Sequence, residues 1–409
     1  MKLGSEFRRL WIGNAFSNLS DGITFIAIPL LAVVITKDPL AVAGLSVAYA
    51  IPRIIAVLGI GVLLDRVDRR PILYLANYAR ALMFAVLTVL VALDAANLWV
   101  LYVVYALIGV IETLSDSAVF AIVPQAVPSK SLLVRANSRI AGTQVVVDEF
   151  VGPPIGGALF AIAAFTPTGV NVVVLLISAT AFFLLRGNYR PPIVESVARR
   201  SVFLELKDAA VWTTGHAIIR TLIVVGTLAS VAYMIPFSFL VLYADQILGL
   251  NAAGYGLLLS FSAVGGIAGS WLAGKLQRRL GYGWTIFGVL MLGAGSFAVI
   301  GWSTNVVVVA LALAAYIFHA VVWGILASSL RQHFTPDSML GRVGSLSRLL
   351  SLIGLALGAL LGGGLAVAFG LQVPFYAAGA LFVLAALVVL RAILPLSEWE
   401  RLPIEPASA

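Results

Sequence analysis

The chain contains no cysteine. A disulfide framework and a thiolate metal site are therefore excluded. Histidine is almost as scarce, three in 409 residues, and no His/Asp/Glu grouping has a metal-ligand spacing. No Gly-x4-Gly-Lys-Ser/Thr loop is present to cradle a nucleotide, and no nucleophile motif stands out. An enzyme is not expected, nor is a cofactor. Charge is the remaining shortage: Asp, Glu, Lys and Arg make up 11%, against about 25% in a soluble domain.

What is abundant is apolar. The hydrophobic share is 61%, and the mean hydropathy is +1.05. So much apolar surface cannot be hidden in one water-soluble core, so lipid is the solvent for most of the chain. Lys2, Arg8 and Arg9 before an apolar run imitate a signal peptide, but the run continues to about Ile35, too long for a signal h-region, and reads as a retained first span.

A spanning helix needs about 20 apolar residues. Twelve stretches qualify, at about 10–36, 40–64, 72–93, 98–123, 134–160, 168–187, 216–244, 252–274, 282–303, 305–330, 342–369 and 373–394. If the N-terminus is cytoplasmic, 23 of the 26 Lys and Arg fall on cytoplasmic segments or the adjoining helix ends. Lys37 alone lies in an outer loop, and Arg53 and Arg80 lie within spans. The positive-inside bias places both termini in the cytoplasm and accounts for the net charge of +8 without a nucleic-acid partner.

The longest connection, 188–215, opens with Arg190-Pro191-Pro192 and holds a short amphipathic helix near Phe203–Trp212, suited to the inner headgroup region. It divides an N-terminal bundle (1–187) from a C-terminal one (216–395), with a tail at 396–409. The halves repeat. Asp65-Arg66-Val-Asp68-Arg69-Arg70 aligns with Gly274-Lys275-Leu-Gln-Arg278-Arg279 at an offset of 209, and Pro128 aligns with Pro336 at 208. Arg135-Ala-Asn-Ser138 aligns with Arg342-Val-Gly-Ser345, and Gly152-Pro153-Pro154-Ile-Gly156-Gly157 with Gly358-Ala-Leu-Leu-Gly362-Gly363.

These residues resemble the major facilitator superfamily. Gly61-x3-Asp65-Arg66-x2-Arg69-Arg70 looks like its signature loop between the second and third helices. Gly152-Pro153-Pro154-Ile-Gly156-Gly157 looks like the fifth-helix motif of its proton-coupled exporters. The opening Leu10-Trp11-Ile-Gly-Asn14-Ala-Phe-Ser-Asn18-Leu-Ser-Asp21-Gly22, with Pro124 and Arg135-Ala136-Asn137, is similar to the macrolide-efflux and enterobactin-exporter branch. The resemblance implies an all-α membrane protein, two pseudo-symmetric six-helix bundles around a central cavity, in the inner membrane and working by alternating access. Many relatives carry an arginine in the fourth helix for the proton step; Leu98–Val123 has none.

Each ionisable residue in a span costs about 2.5–3.5 kcal/mol on insertion scales and so invites a role. Counted from the cytoplasmic ends, Asp21, Arg53 and Glu112 sit about 16–18 Å deep, Asp148 and Glu149 about 20 Å, and Arg80 and Asp116 about 12 Å. Matching depths predict a structural pair between Arg80 and Asp116. Asp21, Glu112 and Asp148 against Arg53 leave a surplus acid. Burial penalises its charged form, as a proton carrier requires, unless it merely faces a watery cavity. Asn14, Asn18 and Asp21 share a helical face and are expected to line the cavity. The C-terminal half offers His319, a packing residue or a carrier, and the aromatics Tyr233, Phe237, Tyr316 and Trp323, core residues or substrate liners.

Glycines at 152 and 156, at 265 and 269, and at 354, 358 and 362 predict close helix crossings, with or without a gating role. Pro153 and Pro154 should bend the fifth span. Gly61, Asp65, Arg66, Asp68, Arg69, Arg70 and Arg342 form a cytoplasmic gate, in which Asp65 docks on the start of the eleventh span near Gly341-Arg342. The function expected from these residues and the resemblance is proton antiport. The substrate is an apolar or amphipathic small molecule such as a drug, cationic if the surplus acids serve it rather than protons. The alternative is a dedicated siderophore or metabolite exporter, or a lipid transporter of the same fold. The expected partners are the substrate, protons and the bilayer, with the chain acting as a monomer.

Overall fold

The computed structural model describes residues 3–64, 67–129, 132–187, 189–190 and 202–401. Among them every regular element is helical. Long apolar stretches leave lipid-facing backbone no other way to satisfy its N–H and C=O groups. In order these are α1 (Ser5–Ile35), α2 (Pro39–Leu64), α3 (Arg69–Ala92), α4 (Leu98–Ala126), α5 (Leu133–Gln144), a π-helical segment (Val145–Val151), α6 (Gly152–Ile162) and α7 (Thr166–Phe183). Then follow α8 (Val202–Thr214), α9 (Ala217–Phe237), α10 (Leu240–Gln246), α11 (Ala252–Trp302), α12 (Val306–Phe334), α13 (Asp337–Phe369) and α14 (Val373–Arg401).

Local chemistry sets the ends. Asp68 caps α3 by accepting from Arg70 N at 3.0 Å, and Asn97 caps α4 from Val100 N at 3.0 Å. Asn305 caps α12 from Val307 N at 2.9 Å. At 51 residues α11 would be far longer than a bilayer needs, but Gly281 breaks it with φ 78°, ψ 169°. That left-handed φ suits glycine, and it divides α11 into two crossings, 252–280 and 282–302. With this break the described helices make the twelve expected crossings.

Two spans are less regular than expected. The bend expected at Pro153 and Pro154 sits one turn earlier, as a seven-residue π-helix ahead of Gly152, and the prolines open a fresh α-helix. Proline is tolerated in a first turn, where its missing N–H would have no partner. The seventh span, expected to be continuous over 216–244, breaks after Phe237 and resumes at Leu240. Pro236 removes an N–H there and crowds the preceding turn. The amphipathic helix is present as α8 and packs against α13. α14 runs to Arg401, beyond the expected end at 395.

The chain forms two compact units: Met1–Ala198 with Ser238–Ser260, and Arg199–Phe237 with Phe261–Ala409. In the first, α1 packs against α4, α6, α7 and α10, and is buried from Phe7 to Val33 along its inward face. α2 packs on α4, and α3 on α7 and α4. In the second, α9 is the hub, packed by α12, α13 and α14.

Candidate functional site

The ends of the first unit that carry the basic loops are tied by arginines. Arg70 Nη2 donates to Phe183 O at 2.8 Å, and Arg69 donates to Leu64 O at 3.2 Å and Ala121 O at 3.1 Å. Glu6 accepts from Arg9 at 2.5 Å and from Arg186 N at 2.6 Å. The turn is thus stitched to α4 and α7 by backbone carbonyls. Asp68 is a helix cap. Arg342 points Nη1 toward Met339 S at 3.9 Å. Gly61 lies in the last turn of α2. Asp65, on which the docking idea rested, and Arg66 lie outside the described residues.

Two ion pairs sit deep in the first unit. Arg80 on α3 grips Asp21 on α1 and donates to Ser17 Oγ at 3.1 Å; its side chain is fully buried and that of Asp21 is 12% exposed. This corrects the expected Arg80–Asp116 pair. Backbone depth ranked Asp116 as the partner, but an extended arginine side chain reaches about one helical turn. Arg80 uses that reach to meet Ser17 and Asp21, which are stacked at i and i+4.

The second pair is Arg53 Nη1 to Glu112 Oε1 at 3.4 Å. Tyr49, one turn before Arg53, places its hydroxyl 2.7 and 2.8 Å from the two Glu112 oxygens. Its ring is stacked on Tyr105 at 4.5 Å, and the Arg53 guanidinium lies 4.5 Å above its centroid. Sequence reasoning missed Tyr49 and Tyr105 in this network. The Tyr49-x3-Arg53 spacing is the signal that could have found the first of them.

Asp116 lies one turn along α4 from Glu112, and Asp148 lies on the π-helical segment. Beside it the helices almost touch. A Cβ on Gly22 would lie 2.4 Å from Asp148 O, and one on Gly152 would lie 2.5 Å from Gly22 Cα. A Cβ on Gly156 would lie 3.0 Å from Ile23 O, and one on Gly157 would lie 2.6 Å from Ala252 O. The fifth-span motif therefore seats α6 on α1 with one face and on the start of α11 with the other. On the opposite end of this unit from the basic loops, Lys37 bridges Asp245 at 2.8 Å.

Asn14 and Asn18 do not line an open cavity. They are 4% and 2% exposed. α1 is enclosed by neighbouring helices, so its polar stripe is taken into packing. Trp11 on the same helix donates Nε1 to Thr143 Oγ1 at 2.7 Å beneath the Arg139 guanidinium.

The second unit holds a cavity of about 310 Å³. Tyr233, Tyr316, His319 and Trp323 line it; Phe237 stands behind, 4.3 Å from the Tyr233 ring and 5.7 Å from the Tyr316 ring. The sequence reading missed the polar wall: Ser230, Ser328, Ser347, Ser351 and Arg331. Arg331 Nη1 donates to Ser347 Oγ at 3.2 Å. His319 is 1% exposed, wedged 4.8 Å from the Phe382 ring, and neither ring nitrogen has a well-formed hydrogen bond among the described residues. An aromatic floor with a few hydroxyls and one cation can hold an amphipathic ring compound. Among the described residues no group of three or more His, Asp or Glu could hold a metal ion.

Residues 10–346 match the model of the Major Facilitator Superfamily. The enterobactin exporter EntS of Salmonella choleraesuis is 26% identical over 377 residues, covering 89% of this chain and 86% of that protein. EntS of Escherichia coli O127:H6 is 25% identical over 391 residues, covering 93% and 89%. Among solved structures, the nucleoside transporter NupG has a TM-score of 0.77 at 11% identity, covering 95% of this chain and all of that one (100%). A bacterial homologue of the iron transporter ferroportin, in an inward-facing state, has a TM-score of 0.71 at 21% identity, covering 96% and 99%. At these identities the structural likeness is one of fold.

Proposed function

The chain belongs to the Major Facilitator Superfamily, and on that premise we propose that it is a proton-coupled exporter of apolar or amphipathic small molecules. The observation that carries the coupling is the buried network of the first unit, in which Asp21 and Glu112 are each held by one arginine while Asp116 and Asp148 add further acid. A carboxylate whose arginine partner can be exchanged for a proton has two neutral states, and alternation between them is what antiport requires. Export is supported by the fifth-span glycine-proline motif and by the likeness to the enterobactin exporter. The charge bias supports placing the basic ends in the cytoplasm, with the chain in the inner membrane. We take the working unit to be a monomer.

Substrate binding belongs to the aromatic cavity of the second unit. Arg331 is on its wall and none of its lining residues is an acid, so the charge there suits a neutral or anionic amphipath rather than a cation. That observation favours a second reading, a dedicated exporter of a siderophore-like metabolite bearing aromatic rings and ionisable hydroxyls.

The test uses purified protein in liposomes with an imposed pH gradient. Uptake of a fluorescent amphipathic dye and of a catechol siderophore is followed in vesicles whose basic protein ends face outward. Uptake should follow the gradient and collapse with Asp21→Asn or Glu112→Gln. Uptake without pH dependence, with both variants as active as the parent, would refute proton coupling. Dye transport without siderophore transport selects the broad reading, and the reverse selects the dedicated one.

A further inference from the structure

The second unit has another cavity, of about 230 Å³, between α9 and α14 at the end where the basic loops lie. It is separate from the aromatic cavity and shares no lining residue with it. Its walls are graded. Arg220 and Thr221 sit in the opening turns of α9, Arg391 sits at the end of the apolar part of α14, and Val224 and Val388 lie deeper. α9 enters the membrane at Ala217, so Val224 is about 6 Å deeper than Arg220; α14 runs the other way, so Val388 is about 4.5 Å deeper than Arg391.

Both arginines are exposed. Arg220 Nη1 donates to Thr214 O at 2.9 Å, which holds one edge of the guanidinium in place and leaves other donors free. Among the described residues neither arginine has a carboxylate in ion-pair contact. The first turn of α9 adds partial positive charge at the same height.

Two guanidinium groups and a hydroxyl at the membrane edge, above an apolar rail, have the outline of a phospholipid. We propose that this groove binds an anionic phospholipid of the cytoplasmic leaflet. Its phosphodiester would sit between Arg220 and Arg391 and an acyl chain would lie along Val224 and Val388. A free phosphate would use the arginines but has no need of the rail, whereas a lipid uses both. The proposal depends on the orientation set by the charge bias and not on which molecule is transported.

The test is native mass spectrometry of the full chain released from detergent, with added phosphatidylglycerol or with phosphatidylcholine of the same acyl chains. Thermal stability is measured in parallel with each lipid and with inorganic phosphate. The parent should hold phosphatidylglycerol in preference to phosphatidylcholine. Each surface arginine contributes about fivefold to anionic lipid attraction, so R220Q/R391Q should weaken retention roughly 25-fold. R278Q/R279Q, an equal charge loss on α11 away from this groove, should leave it unchanged. Equal weakening by both pairs would reduce the effect to general surface charge and overturn the site. So would equal retention of phosphatidylcholine, or stabilisation by inorganic phosphate as large as by the lipid. Should the double variant fail to fold, R391Q alone is scored against R278Q by the same criteria, with a fivefold loss expected.

Discussion

Replacing the three glycines of α13 that face α9, one at a time, by alanine tests the close packing of the second unit. An ideal Cβ at Gly354 would lie 3.0 Å from Thr227 O, at Gly358 2.4 Å from Val231 O, and at Gly362 1.9 Å from Ile235 O. These fall short of ordinary contact, 3.4 Å, by about 0.4, 1.0 and 1.5 Å. All three obstacles are backbone carbonyls of α9, so no rotamer change relieves them. Overpacking costs about 1–3 kcal/mol, while Gly→Ala within a helix regains about 1 kcal/mol. Gly354→Ala should therefore be close to neutral, Gly358→Ala should lose about 1 kcal/mol, and Gly362→Ala about 2 kcal/mol or more. Gly364, on the same helix, has nothing within 4 Å of its ideal Cβ. Gly364→Ala should gain up to about 1 kcal/mol. Reversible unfolding in mixed micelles measures all four against the parent. A Gly362→Ala variant as stable as Gly364→Ala, or an inverted order along the series, would refute the steric account.

Charge deletions should separate the buried pairs from the exposed one. Arg80→Gln and Asp21→Asn should each destabilise by about 3–5 kcal/mol, because either leaves a buried charge alone. The double variant should lose less than the sum, with a coupling of about 2–3 kcal/mol in a double-mutant unfolding cycle; strict additivity would mean the two do not act as a pair. Tyr49→Phe removes a hydroxyl bonded to a carboxylate and should lose about 1.5–3 kcal/mol, with a smaller loss when Glu112→Gln is already present. Lys37→Gln should change stability by under about 1 kcal/mol, since the Lys37 and Asp245 side chains are 58% and 43% exposed. That small effect should vanish in molar salt, and an undiminished one would contradict a screened surface pair.

The membrane class, the helical crossings and the close glycine contacts were all legible in the residues, for one reason. The bilayer sets a length, and lipid sets an apolar composition, so segments of the right size announce themselves. Charge partners were not legible in the same way. Counting residues along a helix gives the height of a Cα but neither its azimuth nor the reach of its side chain. Arg80 was therefore matched to Asp116 by height, whereas it meets Asp21. The stripe of Asn14 and Asn18 was a correct helical face assigned to the wrong surroundings, because amphipathicity shows that a face is polar and not what covers it. Pro153 and Pro154 announced an irregular fifth span. Its form, a π-helix ending at Val151 with the Asp148 carbonyl close against Gly22, is not written in the spacing of the residues.

The division between halves shows the same limit from another side. A repeat read from sequence places the boundary in the connection at 188–215, where the chain leaves one six-helix set for the next. Packing places it also at the break after α9, Phe237–Ser238, and inside α11, at Ser260–Phe261. The reason lies in particular residues. Pro236 breaks the seventh span, freeing α10 to follow a different neighbour from α9, and α10 packs on α1. Gly256 admits Pro153 O to within 2.9 Å of its ideal Cβ position, so the first turns of α11 rest on α6. Lys37 and Asp245 add a weak clasp at that end. Continuity of the chain and continuity of packing are different properties. The segment 238–260 is C-terminal by the first and N-terminal by the second. Phe239, Leu240, Leu242 and Tyr243 of this segment are all fully buried, so its packing rests on large side chains as well as on close glycine contacts and one exposed ion pair.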